Sequence, residues 1–476
     1  MHRLTRVLTA VAIALLFAGD ARASVQPTAT QRPVPTKDAL SFEGVAAVDV
    51  MSVLAHEANI PGLQAAVAVG GEMVWSGAVS TRVGSAPPAE ASRPFRIASI
   101  SKTFTGLIAG RLAAEGALDL DAPITRYVPN LPEHYRNVTA RQLANHTAGV
   151  RHYRGLETRL NRRFDSLNEA LSIFQNDPLV HEPGEAYSYS TYGYTLLGVV
   201  LERASGKSFE ALLHELVTEP LQMKDTDVET AERMVPVGTD AAFSYGLLKR
   251  PTRATPTDHS YKIPGGGIAS TAPDLVKLGL ELARPSPANT KAVALMAQVS
   301  QRNGGRAHNY GLGIRIASLR GGGTRLTHSG GQPGCTARLV VDAKPANVGV
   351  LMANIDDAPF ADGEALFLIA LFEAADPRGE ANATALEGTW ELPWTEGNPI
   401  TFTLSRDGER WTGAFQIGGS AIDTECVHVR GKRVIAAAFA ERLIAIDLQI
   451  DGDAAQGHAV YMSHRLVTAQ RLENVR

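Results

Sequence analysis

Phe95-Arg96-Ile97-Ala98-Ser99-Ile100-Ser101-Lys102-Thr103-Phe104 places a serine and a lysine three residues apart, where a loop turns into a helix. Positions i and i+3 share one helix face, so the Lys102 ammonium can reach the Ser99 hydroxyl. A serine hydroxyl is a poor nucleophile until something takes its proton, and an adjacent neutral lysine can do that. The first turn of a helix also offers unpaired backbone N–H groups to a developing negative charge. The stretch reads as an acyl-transfer site. Alone it is a weak signal, because a chain this long holds about one Ser-x-x-Lys by chance. Ser99 taken singly could cap its helix, and Lys102 could be a solvated helix lysine.

Outward from this stretch, Phe104, Leu107, Ile108 and Leu112 form a buried helix face that Gly116 closes. Upstream, Ala46, Ala47, Val50, Met51 and Leu54 mark a helix ending before Pro61. Leu63 to Val69, Gly70-Gly71 and Glu72 to Ser76 predict a β-hairpin with a two-residue turn. Downstream, Tyr192 to Ala204 is amphipathic and stops at Gly206, and Thr271 with Asp274 predicts a capping-box helix start. Arg338 to Val341 and Val348 to Ala353 predict a second strand pair, followed by an apolar helix, Glu364 to Phe372. Strands at both ends with helices between predict an α/β (α+β) sandwich: one antiparallel sheet flanked by helices, with a helical insert, over 41–375.

Composition changes near residue 375. Asp376-Pro377-Arg378-Gly379 opens a linker, 376–384, and beyond it come short alternating runs at 400–404, 411–415, 427–429, 433–436, 443–448 and 458–461. With Asp407-Gly408, Gly431 and Asp451-Gly452 between them, they predict a C-terminal antiparallel β-barrel domain over 385–476, which through Gly388-Thr389-Trp390 loosely resembles lipocalin-like barrels.

Two further motifs follow the Ser-x-x-Lys in order. Tyr189-Ser190-Thr191 lies within Pro183 to Tyr194, and His328-Ser329-Gly330 lies within Thr327 to Gly334. With them the sequence resembles the serine β-lactamase and penicillin-binding family, whose signatures are Ser-x-x-Lys, Tyr-x-Asn and Lys-or-His-x-Gly. Leu118 to Asp121, His146 to Gly149, Tyr310 to Gly313 and Gly265-Gly266-Gly267 match the same family, so the resemblance spans about residues 42 to 372. Arg151-His152-Tyr153, the Tyr-Ser-Thr variant and Ser260-Tyr261-Lys262 make it most similar to the mitochondrial serine β-lactamase-like branch and its bacterial relatives.

The resemblance implies a β-lactamase/transpeptidase-like fold and assigns roles. Ser99 would be acylated, and Lys102 and Tyr189 would form a coupled proton reservoir, with the base left open between them. As a base near neutral pH, Lys102 would need its pKa lowered from about 10.4 by about three, roughly 4 kcal/mol, by burial or a second cation. Tyr189 would act as a phenolate if a charged Lys102 stabilised it, or would pass the proton to the leaving group. Thr191, His328, Gly330 and Gly331 would bind substrate, with the Gly331 and Ser99 N–H groups forming an oxyanion hole on an edge strand. His328, charging below about pH 6.5, would make substrate preference pH-dependent. His146 reads as a hydrogen-bonded support. The glycines at 265–267 and 321–323 read as tight turns rather than a phosphate cradle.

Two departures bear on substrate. Thr191 replaces the family's asparagine, losing an amide that both donates and accepts, and His328 replaces a lysine. Peptide or D-amino-acid amides and small esters therefore fit better than β-lactams. Alternatives are a penicillin-recognising sensor acylated without turnover, or an assembly scaffold.

The chain's 476 residues, 44% hydrophobic and 20% charged with net charge −3, describe an ordinary globular protein with no polyanion partner. Arg3 and Arg6, the apolar run Val7 to Ala18 and Ala21-Arg22-Ala23 read as a signal peptide, 1–23, followed by a flexible leader, 24–40. They imply a periplasmic or secreted protein without a membrane span after cleavage. His146 and His152 are poorly spaced for a metal and no His-Glu-x-x-His occurs, so no cofactor is expected. Cys335 and Cys426 read as free thiols.

Overall fold

The computed structural model describes residues 41–81, 90–229, 243–245, 250–301, 307–319, 322–373, 386–395, 398–461 and 463–472. The expected signal peptide, leader and linker lie outside the described residues.

Helix α1 (Phe42–Glu57) starts where the Ser41 hydroxyl accepts from Gly44 N at 3.0 Å. Strands β1 (Gly62–Val69) and β2 (Glu72–Ser80) form the expected hairpin. Gly70 and Gly71 turn it with φ of 62° and 95°, a pairing that residues with side chains adopt at a penalty. Strands β3 (Arg315–Ser318), β4 (Thr324–Gln332), β5 (Cys335–Asp342) and β6 (Asn347–Ala353) complete one antiparallel sheet in the order β3-β4-β5-β6-β1-β2.

This sheet is covered on both faces, which is why its central strands read as continuous apolar runs. On β1, Leu63, Ala65 and Val67 pack toward α1 and helix α5 (Asp362–Glu373), while Ala66 and Ala68 join the opposite core. That opposite core includes α2 (Ser101–Ala114), α3 (Thr191–Ser205) and α4 (Ala272–Ala283), most of it helical insert. The capping box at α4 is only half formed. Thr271 Oγ1 accepts from Asp274 N at 3.3 Å, but the Asp274 carboxylate accepts from Asp225 N and Thr226 instead of reaching back.

The C-terminal strands are β7 (Gly388–Thr395), β8 (Asn398–Asp407), β9 (Arg410–Ile417), β10 (Ser420–Asp423), β11 (Cys426–Arg430), β12 (Arg433–Ala440), β13 (Arg442–Asp451), β14 (Ala454–Tyr461) and β15 (Ser463–Leu472). They form one sheet in the order β10-β9-β8-β7-β15-β14-β13-β12-β11. Its two end strands are neighbours in sequence, so the sheet has to curl, and it forms a half-barrel. Trp390, Phe402 and Phe415, each 0% exposed, fill the interior.

β12 is buried on both faces. Val434, Ala436 and Ala438 line the half-barrel core, whereas Ile435 and Ala437 pack with α1 and α5. Arg433 fastens the same contact: it pairs with Glu43 at 2.9 Å and Asp447 at 2.7 Å, and donates to Leu371 O at 2.6 Å. Both cysteines are free thiols. No described helix is long and apolar enough to cross a membrane.

Candidate active site

Ser99 sits half-buried in a short 3-10 turn, Ala98–Ile100, that runs into α2. Ala98 ahead of it has φ of 45°, a left-handed conformation costly for a residue with a Cβ. Neighbours hold that turn in place. Ile97 N donates to Ile268 O at 3.2 Å, and Thr105 Oγ1 donates to Pro264 O at 2.6 Å. Gly330 on β4 lies so close that a Cβ there would stand 2.2 Å from Ile97 O.

Lys102, fully buried, extends from the first turn of α2. Its Nζ lies 3.1 Å from Ser99 Oγ, 3.1 Å from Thr191 Oγ1 and 2.5 Å from Gly265 O. The Gly265 carbonyl can only accept and the threonine oxygen can accept as well. A neutral amine therefore gives its two N–H bonds to these and turns its lone pair toward Ser99. Burial, then the nearby Lys262 cation, holds Lys102 well below its ordinary value.

The second motif arrives at the N-terminus of α3. Ser190 caps the helix, accepting from Gly193 N at 2.9 Å and donating to Arg151 O at 2.7 Å. Two histidines accept neighbouring backbone donors: Ser190 N reaches His146 Nδ1 at 3.1 Å, and Thr191 N reaches His152 Nδ1 at 3.2 Å. An accepting Nδ1 requires a neutral ring. Burial, then Lys102, depresses both imidazoles, His152 to about 4. His146 is thus the expected hydrogen-bonded support.

The Tyr189 ring lies 4.9 Å from Lys102 Nζ, and the Ser99 side chain acts on its hydroxyl. Burial raises the Tyr189 hydroxyl well above its ordinary value. This favours a phenol able to donate a proton over the phenolate alternative.

The third motif corrects two expectations. β4 is not the edge strand, because β3 lies outside it. Their pairing ends at Arg315 with Thr327, however, so His328 to Gln332 runs on as a local edge. His328 is 3% exposed, and its Nδ1 faces the Ser329 carbonyl at 2.8 Å, so that nitrogen carries the proton. Its Nε2 accepts from the Tyr310 hydroxyl at 2.7 Å. Burial, then Lys102, lowers His328 to about 3. It is therefore not a switch near pH 6.5. Gly330 is buried against the Ser99 turn and Gly331 is exposed.

Sequence reasoning gave no role to several residues that shape the site. Gly265 supplies a carbonyl to Lys102, Tyr310 holds His328, and the Tyr153 ring packs on His152 at 4.3 Å between centroids. Lys262 is 2% exposed, and Glu229 behind it binds Arg96 at 2.6 Å and His259 Nδ1 at 2.6 Å. The segments carrying them were legible as motif, but a backbone carbonyl or a second-layer cation has no signature in a single chain. Among the described residues, Glu210, His214 and Asp227 bring ligand atoms within 4.8 Å of one another, a possible cation cluster that includes no member of the Ser99 group.

Residues 47–374 match the Beta-lactamase family model. The human mitochondrial serine beta-lactamase-like protein LACTB is 29% identical over 327 residues, covering 54% of this chain and 59% of that protein. The chain thus spans less than two thirds of the length of the curated relatives it first matches. The octameric penicillin-binding protein homologue from Pyrococcus abyssi superposes with a TM-score of 0.59 at 20% identity, over 89% of this chain and 99% of that one. The D-amino acid amidase from Ochrobactrum anthropi SV3, complexed with L-phenylalanine amide, gives 0.56 at 24% identity, over 65% and 91%.

Proposed function

Because the chain belongs to the β-lactamase family of serine hydrolases, we propose that it hydrolyses peptide or D-amino-acid amides and small esters through an acyl-Ser99 intermediate, with weak or no β-lactam turnover. The observation that carries this reading is Lys102 Nζ at 3.1 Å from Ser99 Oγ, with its remaining bonds committed to Thr191 and Gly265. Neutral Lys102 takes the Ser99 proton as Oγ attacks the substrate carbonyl carbon. The oxyanion gathers at the Ser99 and Gly331 N–H groups, each such donor being worth about 3 kcal/mol. Tyr189, kept as a phenol, gives its proton to the departing amine or alkoxide and recovers one through Lys102. Water then attacks the acyl carbon along the reverse path.

The amide preference draws support from the amidase whose fold this chain shares. Thr191 supports weak lactam turnover, since its hydroxyl accepts from Lys102 and offers one short O–H donor where an amide has two donors and a carbonyl on a longer side chain. Tyr310 fixes the His328 ring on β4 through its hydroxyl. The charged start and apolar run within 1–23 support export to the periplasm or beyond.

Burst kinetics test the reading. A chromogenic ester and a D-phenylalanine amide should turn over continuously, at least about 100-fold faster than a chromogenic cephalosporin. A single stoichiometric burst with each substrate would replace this enzyme by an acylated sensor.

A further inference from the structure

We infer that Lys262 is a positioning residue: its buried cation keeps Lys102 in the proton-accepting form, a task that the neutral His328 cannot perform. The inference rests on the acyl-Ser99 reading above.

Lys262 ends the short turn Ser260–Lys262 and is 2% exposed. Its ammonium lies over the rings of Tyr153 at 5.7 Å and Tyr261 at 5.4 Å, a cation–π box. Its stem runs beside the nucleophile turn. A Cβ built on Gly266 would stand 3.7 Å from Lys262 Cδ, 3.5 Å from Gln332 Oε1 and 3.9 Å from the Ala98 carbonyl carbon. The Tyr153 ring packs on His152 with centroids 4.3 Å apart, His152 Nδ1 accepts from Thr191 N at 3.2 Å, and the Thr191 hydroxyl accepts from Lys102 at 3.1 Å. One chain of contacts therefore leads from the second lysine to the first.

Elimination points to the same residue. Lys102 faces Ser99, Thr191, the Gly265 carbonyl, Tyr189 and Tyr194, all uncharged near neutral pH. His146, His152 and His328 also feel it, and all three are depressed far enough to be neutral there. Arg315 acts on Tyr189, His146 and His328. That leaves Lys262 as the cation acting on Lys102. Burial lowers Lys262 itself to about 7, with Glu229 and Cys335 favouring its charge and Arg96 opposing it, so the cation is present on the acid side, where the Lys102 limb is read. His259 and His152, both neutral near pH 7, complete its surroundings. Two ammonium groups in one dry volume cannot both keep their protons, so they titrate as a pair.

The test is the rate at which a fluorophosphonate probe labels Ser99, followed against pH in the wild type, Lys262→Met and Lys262→Arg. Labelling needs neutral Lys102, so it falls on the acid side. Without the second cation Lys102 holds its proton to higher pH. The acid limb of Lys262→Met should move up by on the order of one pH unit, with labelling about tenfold slower on the limb and recovering at alkaline pH. Lys262→Arg, permanently charged, should leave the limb in place or move it down. A limb unmoved in folded Lys262→Met, or moved up in Lys262→Arg, would overturn the inference while leaving the hydrolase reading intact. A wild type unlabelled at every pH would overturn both.

Discussion

The Gly265 carbonyl oxygen lies 2.5 Å from Lys102 Nζ and is the one partner there that can only accept. It fixes which way the amine points. Replacing Lys102 by Met should slow probe labelling of Ser99 by about 10²- to 10⁴-fold, the usual contribution of a positioned base. Lys102→Arg should not rescue it, because a guanidinium stays charged and has no lone pair to offer. Second-order labelling rates measure both, and a near wild-type rate for the arginine variant would remove Lys102 as the base.

Gly330 lets β4 approach the Ser99 turn, with the Ile97 oxygen 2.2 Å from the place a Cβ would take. Gly330→Ala must push the strand and the turn apart. Displacements of about 1 Å at a reacting centre cost about 100-fold. Labelling should fall by that order while circular dichroism stays unchanged, and normal labelling in the folded variant would show that the turn tolerates the shift.

Acid should destabilise the protein through its buried imidazoles. His328 is held at about 3 when folded and returns to the ordinary value of about 6.5 when unfolded. Between these values the unfolded chain binds the extra proton, so this contribution is fully present above pH 6.5 and is lost as pH falls toward 3. His146, His152 and His259 are depressed too and act in the same direction. Urea midpoints at pH 7 and 5 should show the loss. His328→Leu should flatten the slope by up to about 1.4 kcal/mol per pH unit. A slope unchanged in that variant would mean His328 titrates normally.

Arg433 joins the half-barrel to the rest of the molecule through Glu43, Asp447 and the Leu371 carbonyl. Arg433→Ala strands two largely buried carboxylates and should destabilise by about 3–5 kcal/mol. Calorimetry checks this, and a melting temperature within a degree of wild type would mean that apolar packing alone holds the junction.

Much of this was legible because local rules and tertiary needs agree. The Gly70-Gly71 hairpin, α2 and α3, and the strand pair around β5 and β6 fall where periodicity and turn residues put them. In the half-barrel, the alternating runs fall within strands, but β7, β10 and β15 were missed. β7 carries Pro393 amid the tryptophans, and β15 is mostly polar outward, so neither shows a clean period of two. Ser99 and Lys102 of the candidate site were readable from their spacing, and Tyr189 from the family resemblance that its motif carries. The state of His328 was not, because it depends on burial and on Tyr310, eighteen residues away in sequence. Lys262 stood in a recognisable segment, yet nothing in a chain tells a buried lysine over two tyrosines from a solvated one.

The central claim is that Ser99 is the nucleophile and Lys102 its base, and intact-protein mass spectrometry after fluorophosphonate treatment tests it most directly. The account predicts a single adduct on the peptide containing Ser99, absent in Ser99→Ala and strongly slowed in Lys102→Met. An adduct that persists in Ser99→Ala would contradict it.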